Sequence, residues 1–368
     1  MSVIGRAACQ ARTMAALLLA AGAAAGVAPA RAAIAAGPGA AGRAAAVPVS
    51  GILNGVAAVS ARDAWAVGTA DPLGTLIGHW NGAAWRRVPS PAAKHGRLFA
   101  VAAVSTRDAW AVGTDLGRAQ IVHWNGAAWH RVRAPSPSGD TILQGVAAVS
   151  ARDVWAVGTT GILHWNGSAW RQVRAPGGTG AGLTAVTATS ARNAWAVGAV
   201  GILRWNGTAW TRVRHPGFAR GSLYGVTATS AANAWAAGTS VARCPTVGCT
   251  LIVHWNGAGW KRVRSPNPPA NPQGNWLFAV TAAAAPAGCA WAVGGTSVTE
   301  PDSGTLILRW NGTAWKRVRS PSPPGGVNLF GVAALCAGTA WAVGGTTSAT
   351  PPRAVILRWN GTNWKRVL

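Results

Sequence analysis

A tryptophan-centred motif recurs seven times along this chain, and that repetition constrains the fold more than any other feature. Each copy runs L-x-G-V-x-A-x-S, then D-A-W-A-V-G, then L-I-x-H/R-W-N-G, then x-x-W-x-R-V. The first tryptophan falls at Trp65, Trp110, Trp155, Trp195, Trp235, Trp291 and Trp341, at spacings of 40 to 56 residues. Two more follow in every copy, as in Trp165-Asn166-Gly167-Ser168-Ala169-Trp170. Such a period belongs to architectures in which each repeat buries its apolar face against its neighbours. The 48 glycines and 22 prolines imply many turns, and the apolar residues come in short runs rather than helical stripes.

Each copy reads as four strands. In the shortest, strand a spans 143–149, strand b 154–157, strand c 162–165 and strand d 170–173. The Asn-Gly pair after strand c is a favoured hairpin turn, because both residues tolerate positive φ. A two- or a four-residue loop places both flanking tryptophans on one face. Large apolar faces on four-stranded sheets need neighbours, and radial stacking supplies them. The expected fold is therefore all-β: a seven-bladed β-propeller with four antiparallel strands per blade and tryptophan between the blades. Buried indole N–H groups would then need partners. No strand is left over for exchange, so packing of blade 7 on blade 1 is expected to close the ring, with 46–50 a candidate extra edge strand.

The N-terminus is different in kind. Arg6 and Arg12 precede an apolar run beginning at Met14, and Ala30-Arg31-Ala32 offers a small-x-small cleavage signal. The run is too short and too rich in alanine for a membrane span, which needs roughly 20 strongly apolar residues. Residues 1–32 are expected to be a removed export signal, 33–48 an Ala/Gly/Pro linker, and 49–368 the propeller. The 33 Lys and Arg against 8 Asp and Glu would draw an exported protein to anionic surfaces.

The motif A-W-A-V-G-G at 340–345, followed by L-R-W-N-G-T-N-W-K-R-V at 357–367, resembles the kelch repeat in its glycine doublet and late tryptophan. W-N-G-x-x-W also resembles the Asp-box turn of sialidase-like and photosystem-assembly-factor propellers, with Asn in place of Asp. S-A-x-D-x-W-A-V-G followed by H-W-N-G-x-x-W is similar to Trp-rich repeats of exported actinobacterial proteins. The resemblance covers about 52–368 and implies the propeller fold. Propellers host many activities, so it implies little about function.

In an up-and-down blade, the a–b and c–d turns open on one face, the b–c and d–a connections on the other. The first set is nearly uniform: Ser-Ala-Arg-Asp and Asn-Gly-x-x recur, with Asp63, Asp108 and Asp153 expected as turn formers. The second set varies, through 70–75, 115–119, 240–250, 296–304 and 346–353 between strands b and c, and 89–97, 134–141 and 265–275 between d and a. Variable insertions on one face mark a binding face in repeat proteins; tolerated drift is the alternative. On that face, strand a contributes a ring of Asn54, Phe99, Gln144, Thr184, Tyr224, Phe278 and Phe330, with Trp276 beside Phe278. An aromatic crescent opposite Asn, Gln and Thr would suit a sugar or peptide. Plain packing is the alternative, because the ring shares strand parity with the buried Val56 series.

Strand d concentrates cations: Arg86, Arg87, Arg212, Arg214, Lys261, Arg262, Lys316, Arg317, Lys365 and Arg366. As the outermost strand it would form a basic belt, which either guards exposed edges or binds polyanions. Specific nucleic-acid binding is not expected, since the tryptophans belong to the core. The slot before the strand-c tryptophan holds His79, His123, His164 and His254 in four copies and Arg204, Arg309 and Arg358 in the others. Arginine cannot replace a metal ligand, so the slot is expected to be solvated or stacked.

Cys9 lies in the signal. Cys244 and Cys249 share one inserted loop, while Cys289 and Cys336 sit in the a–b turns of blades 6 and 7. An exported protein with this placement is expected to carry disulfides 244–249 and 289–336. A zinc site is the alternative, although the pairs open on opposite faces. The acids of the variable face, Asp71, Asp115, Asp140, Glu300 and Asp302, are scattered, whereas glycoside hydrolysis needs two facing carboxylates. A sialidase arrangement needs Tyr near Glu, yet the sole Tyr224 and sole Glu300 are one blade apart. The chain is expected to be a monomeric, cofactor-free, non-catalytic scaffold that recognises a glycan, an anionic envelope polymer or a protein. A hydrolase or lyase acting on polysaccharide, or an envelope assembly factor, is the alternative.

Overall fold

The computed structural model describes residues 50–91, 95–135, 141–159, 161–176, 182–215, 221–242, 244, 248–268, 274–283, 289–296, 304–335 and 338–368. The chain divides into Met1–Ala44 and Ala45–Leu368. The first unit, with the expected export signal, lies outside the described residues, as do 33–49. The second unit holds seven sheets, each of four antiparallel strands in sequence order. Blade 1 comprises strand a (Gly51–Ser60), strand b (Asp63–Ala70), strand c (Thr75–Trp80) and strand d (Trp85–Arg87). Blade 3 comprises Leu143–Ser150, Asp153–Gly158, Gly161–Trp165 and Trp170–Val173, within two residues of the strands expected from its sequence. This is the seven-bladed propeller. No helix among the described residues is long and apolar enough to cross a membrane.

The blades are joined by tryptophan. The strand-b ring of each blade packs between the strand-c and strand-d rings of the next. Trp65 meets Trp124 at 4.9 Å and Trp129 edge-on at 5.1 Å, and Trp155 meets Trp205 at 5.0 Å and Trp210 at 5.2 Å. Strand-b tryptophans such as Trp65, Trp195 and Trp341 are fully buried. Ring closure uses the same contact: Trp341 of blade 7 sits 5.0 Å from Trp80 and 5.1 Å from Trp85 of blade 1. Among the described residues no blade exchanges a strand; of the candidate edge strand 46–50 only Ser50 is described, and it adds one antiparallel bridge to Arg353, while Gly51 N–H donates to the Pro352 carbonyl at 2.8 Å. The expected hydrogen-bond partners exist for strand-c indoles, since Trp80, Trp124, Trp165, Trp205 and Trp255 donate to a–b turn carbonyls at 3.0–3.1 Å. Other buried indoles, at Trp65, Trp110, Trp129 and Trp170 for example, make no such bond. Their rings meet edge to face instead, an arrangement favoured by the aromatic quadrupole.

The turns differ from expectation in mechanism. Trp80 pairs with Trp85 across a four-residue loop, so the flanking rings do share a face. Gly82 has φ near 94°, but Asn81 does not adopt positive φ. Its Oδ1 instead accepts the backbone N–H groups of Ala83 and Ala84 at 3.0 Å, an Asx turn repeated down the chain. Ser60 behaves as expected, accepting Arg62 N–H at 3.2 Å. Asp63, Asp108 and Asp153 do not bond the turn. They face the strand-c histidines, with His79, His123 and His164 Nε2 at 3.1, 2.8 and 2.8 Å.

Those histidines occupy a stacked slot. His79, His123, His164 and His254 lie 4.0–4.2 Å from the strand-b indole of their own blade. Burial lowers the His254 imidazole below its ordinary value. In the other blades Arg204, Arg309 and Arg358 cover the same ring at 5.0–5.3 Å and also reach the next blade's strand-c indole, Arg358 lying 5.2 Å over Trp80. Either an imidazole or a guanidinium can complete the aromatic stack. Trp341→Ala should therefore cost about 3–5 kcal/mol in urea unfolding, as large-to-small core changes do. An unchanged midpoint would show that ring closure does not depend on this contact.

Candidate functional site

The seven strands a surround the axis: Gly51–Ser60, Gly96–Ser105, Leu143–Ser150, Leu183–Ser190, Gly221–Ser230, Trp276–Ala282 and Val327–Ala334. Each departs from regular pairing at the same point. In blade 1, Leu53 pairs with Gly68 and Gly55 with Val67, which leaves Asn54 as the unpaired residue of a β-bulge. The same shift isolates Phe99, Gln144, Thr184, Tyr224, Phe278 and Phe330. Bulges re-aim the extra side chain, so the parity that linked this ring to the Val56 series is broken here. The strand-b glycine of the W-A-V-G motif permits the bulge, because a Cβ on Gly68 would overlap the Ile52 carbonyl, and one on Gly238 the Ser222 carbonyl.

The following residue lets the inner strands close on the axis. A Cβ on Gly55 would lie 3.0 Å from Ala100 Cα, one on Gly145 2.9 Å from Ala185 Cα, and one on Gly225 2.9 Å from Ala279 Cα. Gly therefore faces Ala around the ring. Seven positions cannot alternate fully, and Gly331 meets Gly55.

The ring side chains are all half-buried. Tyr224, Phe278 and Phe330, from blades 5, 6 and 7, form a continuous arc with centroids 5.8 and 5.3 Å apart. Burial raises the Tyr224 phenol above its ordinary value, and a hydrogen bond with Ser222 offsets part of that rise. Two polar members are already engaged with a neighbouring blade. Asn54 Nδ2 donates to the Leu98 carbonyl at 2.9 Å, and Thr184 Oγ1 contacts the Leu223 carbonyl at 2.9 Å and the Val197 carbonyl at 3.1 Å. Phe99 and Gln144 stand between them.

Trp276 lies at the start of its strand, opposite Gly295 and two residues before the bulge. It packs beside Gly248, where an added Cβ would come 3.5 Å from the indole. It thus backs the inserted loop of blade 5, which the Cys244–Cys249 disulfide closes. Cys289 is buried at the foot of strand b in blade 6. Cys336 lies outside the described residues, and with it the 289–336 pairing. The loop expected at 115–119 is shorter in the fold. Asp115 pairs with Arg118 across Leu116-Gly117, both at positive φ, so strands b and c run almost to the tip.

The belt residues Arg86, Arg87, Arg212, Arg214, Lys261, Arg262, Lys316, Arg317, Lys365 and Arg366 are all exposed on strands d or just beyond. Of the acids on the variable face, Asp71 is exposed and Asp115 pairs with Arg131 at 3.7 Å. Asp140, Glu300 and Asp302 lie outside the described residues, so the Tyr224–Glu300 relation does too. Among the described residues no three His, Cys, Asp or Glu side chains gather where they could hold a metal ion.

No known family model matches the chain, and neither does any curated protein sequence. Solved structures with the same fold include YCF48 from Cyanidioschyzon merolae, at 17% identity and TM-score 0.57 over 86% of this chain and 98% of that one. YCF48 bound to D1 peptide matches at 16% identity and TM-score 0.50, over 73% and 80%. Virginiamycin B lyase from Staphylococcus aureus matches at 15% identity and TM-score 0.60, over 84% and 95%. At these identities the likeness is one of fold.

The bulge account predicts that Gly238→Ala costs about 1–3 kcal/mol or more, as overpacking does. Gly259→Ala, where a Cβ would meet nothing within 4 Å, is the control. Equal urea midpoints for the two would remove the bulge constraint. Cys244→Ser/Cys249→Ser should cost about 2 kcal/mol, the loop-entropy value for so short a ring. Peptide mapping of unreduced protein should recover the 244–249 link.

Proposed function

We propose that this chain is an exported, monomeric, non-catalytic recognition scaffold that takes a protein segment at the axial mouth of its variable face. The observation that carries this reading is the arc of Tyr224, Phe278 and Phe330, three aromatic side chains placed on unpaired bulge residues of adjacent blades. Aromatic groups at a concave mouth suit apolar side chains of a ligand, with a few polar groups to orient it. Asn54 and Thr184, which flank the arc on blades 1 and 4, already donate to backbone carbonyls, which leaves fewer donors for sugar hydroxyls and favours a peptide over a glycan. YCF48, a propeller of the same fold, has been captured with D1 peptide, and that supports a peptide as the ligand class. In this reading Trp276, which lies beside Gly248, adds a further aromatic group next to the arc.

Export rests on the N-terminal pattern and on the repeat's likeness to exported actinobacterial proteins. In this reading residues 1–32 are removed, 33–48 are a tether and 49–368 form the propeller. N-terminal sequencing of the mature protein should begin at Ala33; retention of Met1 would contradict export by this signal.

Binding is tested with the surface proteins of the producing cell and, in parallel, a glycan array. Wild-type protein should retain a defined surface protein that the Phe278→Ala/Phe330→Ala variant loses. Retention that survives both substitutions would contradict the axial site. A glycan bound in an aromatic-dependent way would keep the site and change its ligand class.

A further inference from the structure

The opposite face carries a second feature. In blades 1 to 4 the a–b turn presents Arg62, Arg107, Arg152 and Arg192 at one equivalent position, each exposed. The backbone beneath each is pinned, since its N–H donates to the Ser60, Ser105, Ser150 or Ser190 hydroxyl at 3.2–3.3 Å. Each aliphatic stem lies against the glycine of the c–d turn. A Cβ on Gly82, Gly126, Gly167 or Gly207 would come within 3.2 Å of the arginine stem. Root and stem are thus held while the guanidinium stays in solvent.

The fold does not require these arginines. Blade 5 has Ala232 at the same position and blade 7 has Gly338, yet Gly257 and Gly361 keep φ near 95° and 100°. The Ser230 hydroxyl still accepts the Ala232 N–H at 3.2 Å. Nor are the arginines neutralised locally. The adjacent Asp63, Asp108 and Asp153 contact histidines, and none of the four arginines forms an ion pair among the described residues. The result is an arc of four arginines with held stems and solvent-facing guanidinium groups, on successive blades over one side of the face.

We propose that this arc binds a linear polyanion bearing phosphate or carboxylate groups, on the face opposite the aromatic site. Guanidinium forks bind such oxyanions in a bidentate manner, and holding the stems reduces the ordering cost of binding. The one-sided arc favours a chain over a flat anionic membrane, because a membrane would meet the whole face, including blades 5 and 7, where Ala232 and Gly338 offer no charge. Each neutralised phosphate releases counterions, so affinity should fall with salt in proportion to the contacts made.

The test uses the full chain and long inorganic polyphosphate as the probe. The set R62Q/R107Q/R152Q/R192Q should weaken binding at least tenfold and lower the log–log salt slope by about 3, at roughly 0.7–0.9 per contact. The rim set K261Q/K316Q/K365Q removes similar charge and should have a much smaller effect, and Phe330→Ala none. Equal loss from the rim set, or none from the arginine set, would overturn the proposal. Binding to phosphatidylglycerol vesicles but not to polyphosphate would overturn it as well. If the glutamine set fails to fold, R62K/R107K/R152K/R192K keeps the charge and removes the fork. It should then bind several-fold more weakly at an unchanged salt slope, and unchanged affinity would count against the fork.

Discussion

Wherever two blades meet, one indole stands between two others. The strand-b tryptophan of one blade is buried by the strand-c and strand-d tryptophans of the next, and Trp341 repeats the contact on Trp80 and Trp85 to close the circle. A four-stranded sheet with such a face cannot bury it alone. The contact therefore fixes the radial arrangement, orients each c–d hairpin and leaves strand d with cations on its outer edge. The stacked histidine or arginine completes the same cluster from strand c. Because all seven interfaces share this device, the loops beyond the strand ends are free to differ.

The architecture was legible because it rests on a periodic signal. Three tryptophans per copy, an Asn-Gly turn and a strand-length rhythm leave few alternatives to radial stacking. What the sequence obscured lies at points where local chemistry interrupts the period. Parity counting joins Asn54 to Val56, since it treats strand a as unbroken, but Asn54 is itself the extra, unpaired residue of a bulge. The signal was present in the Gly of W-A-V-G, a glycine inside a strand, which marks a bulge or a close backbone approach. Residue type places Asn81 and Asp63 at turns, and Asn81 does build one. Their real partners, the Ala83 and Ala84 N–H groups and the His79 ring, depend on a four-residue loop and on strand register. Trp276, two residues before Phe278, also packs against Gly248 of the neighbouring blade, a contact that no sequence spacing indicates.

The two faces divide the remaining chemistry. Toward the variable loops, the bulge residues gather three aromatic side chains at the axis, and the engaged Asn54 and Thr184 tie adjacent inner strands together. Toward the uniform turns, four arginines stand on a frame that persists without them. Both features are additions to positions that the fold itself leaves undetermined. A bulge can carry Asn, Gln, Thr or an aromatic residue, and the a–b turn can carry Arg, Ala or Gly. Function is therefore sought at these substitutable positions rather than in the tryptophans that repeat.

That distinction between packing and recognition depends on what Phe278 and Phe330 contribute to stability. Urea unfolding of Phe278→Ala and Phe330→Ala, set beside Trp291→Ala, measures it directly. Residues displayed on a bulge should lose no more than about 1 kcal/mol each, while the interface tryptophan loses about 3–5 kcal/mol. Phenylalanine losses equal to that of tryptophan would make the aromatic arc part of the core and remove it as a recognition site.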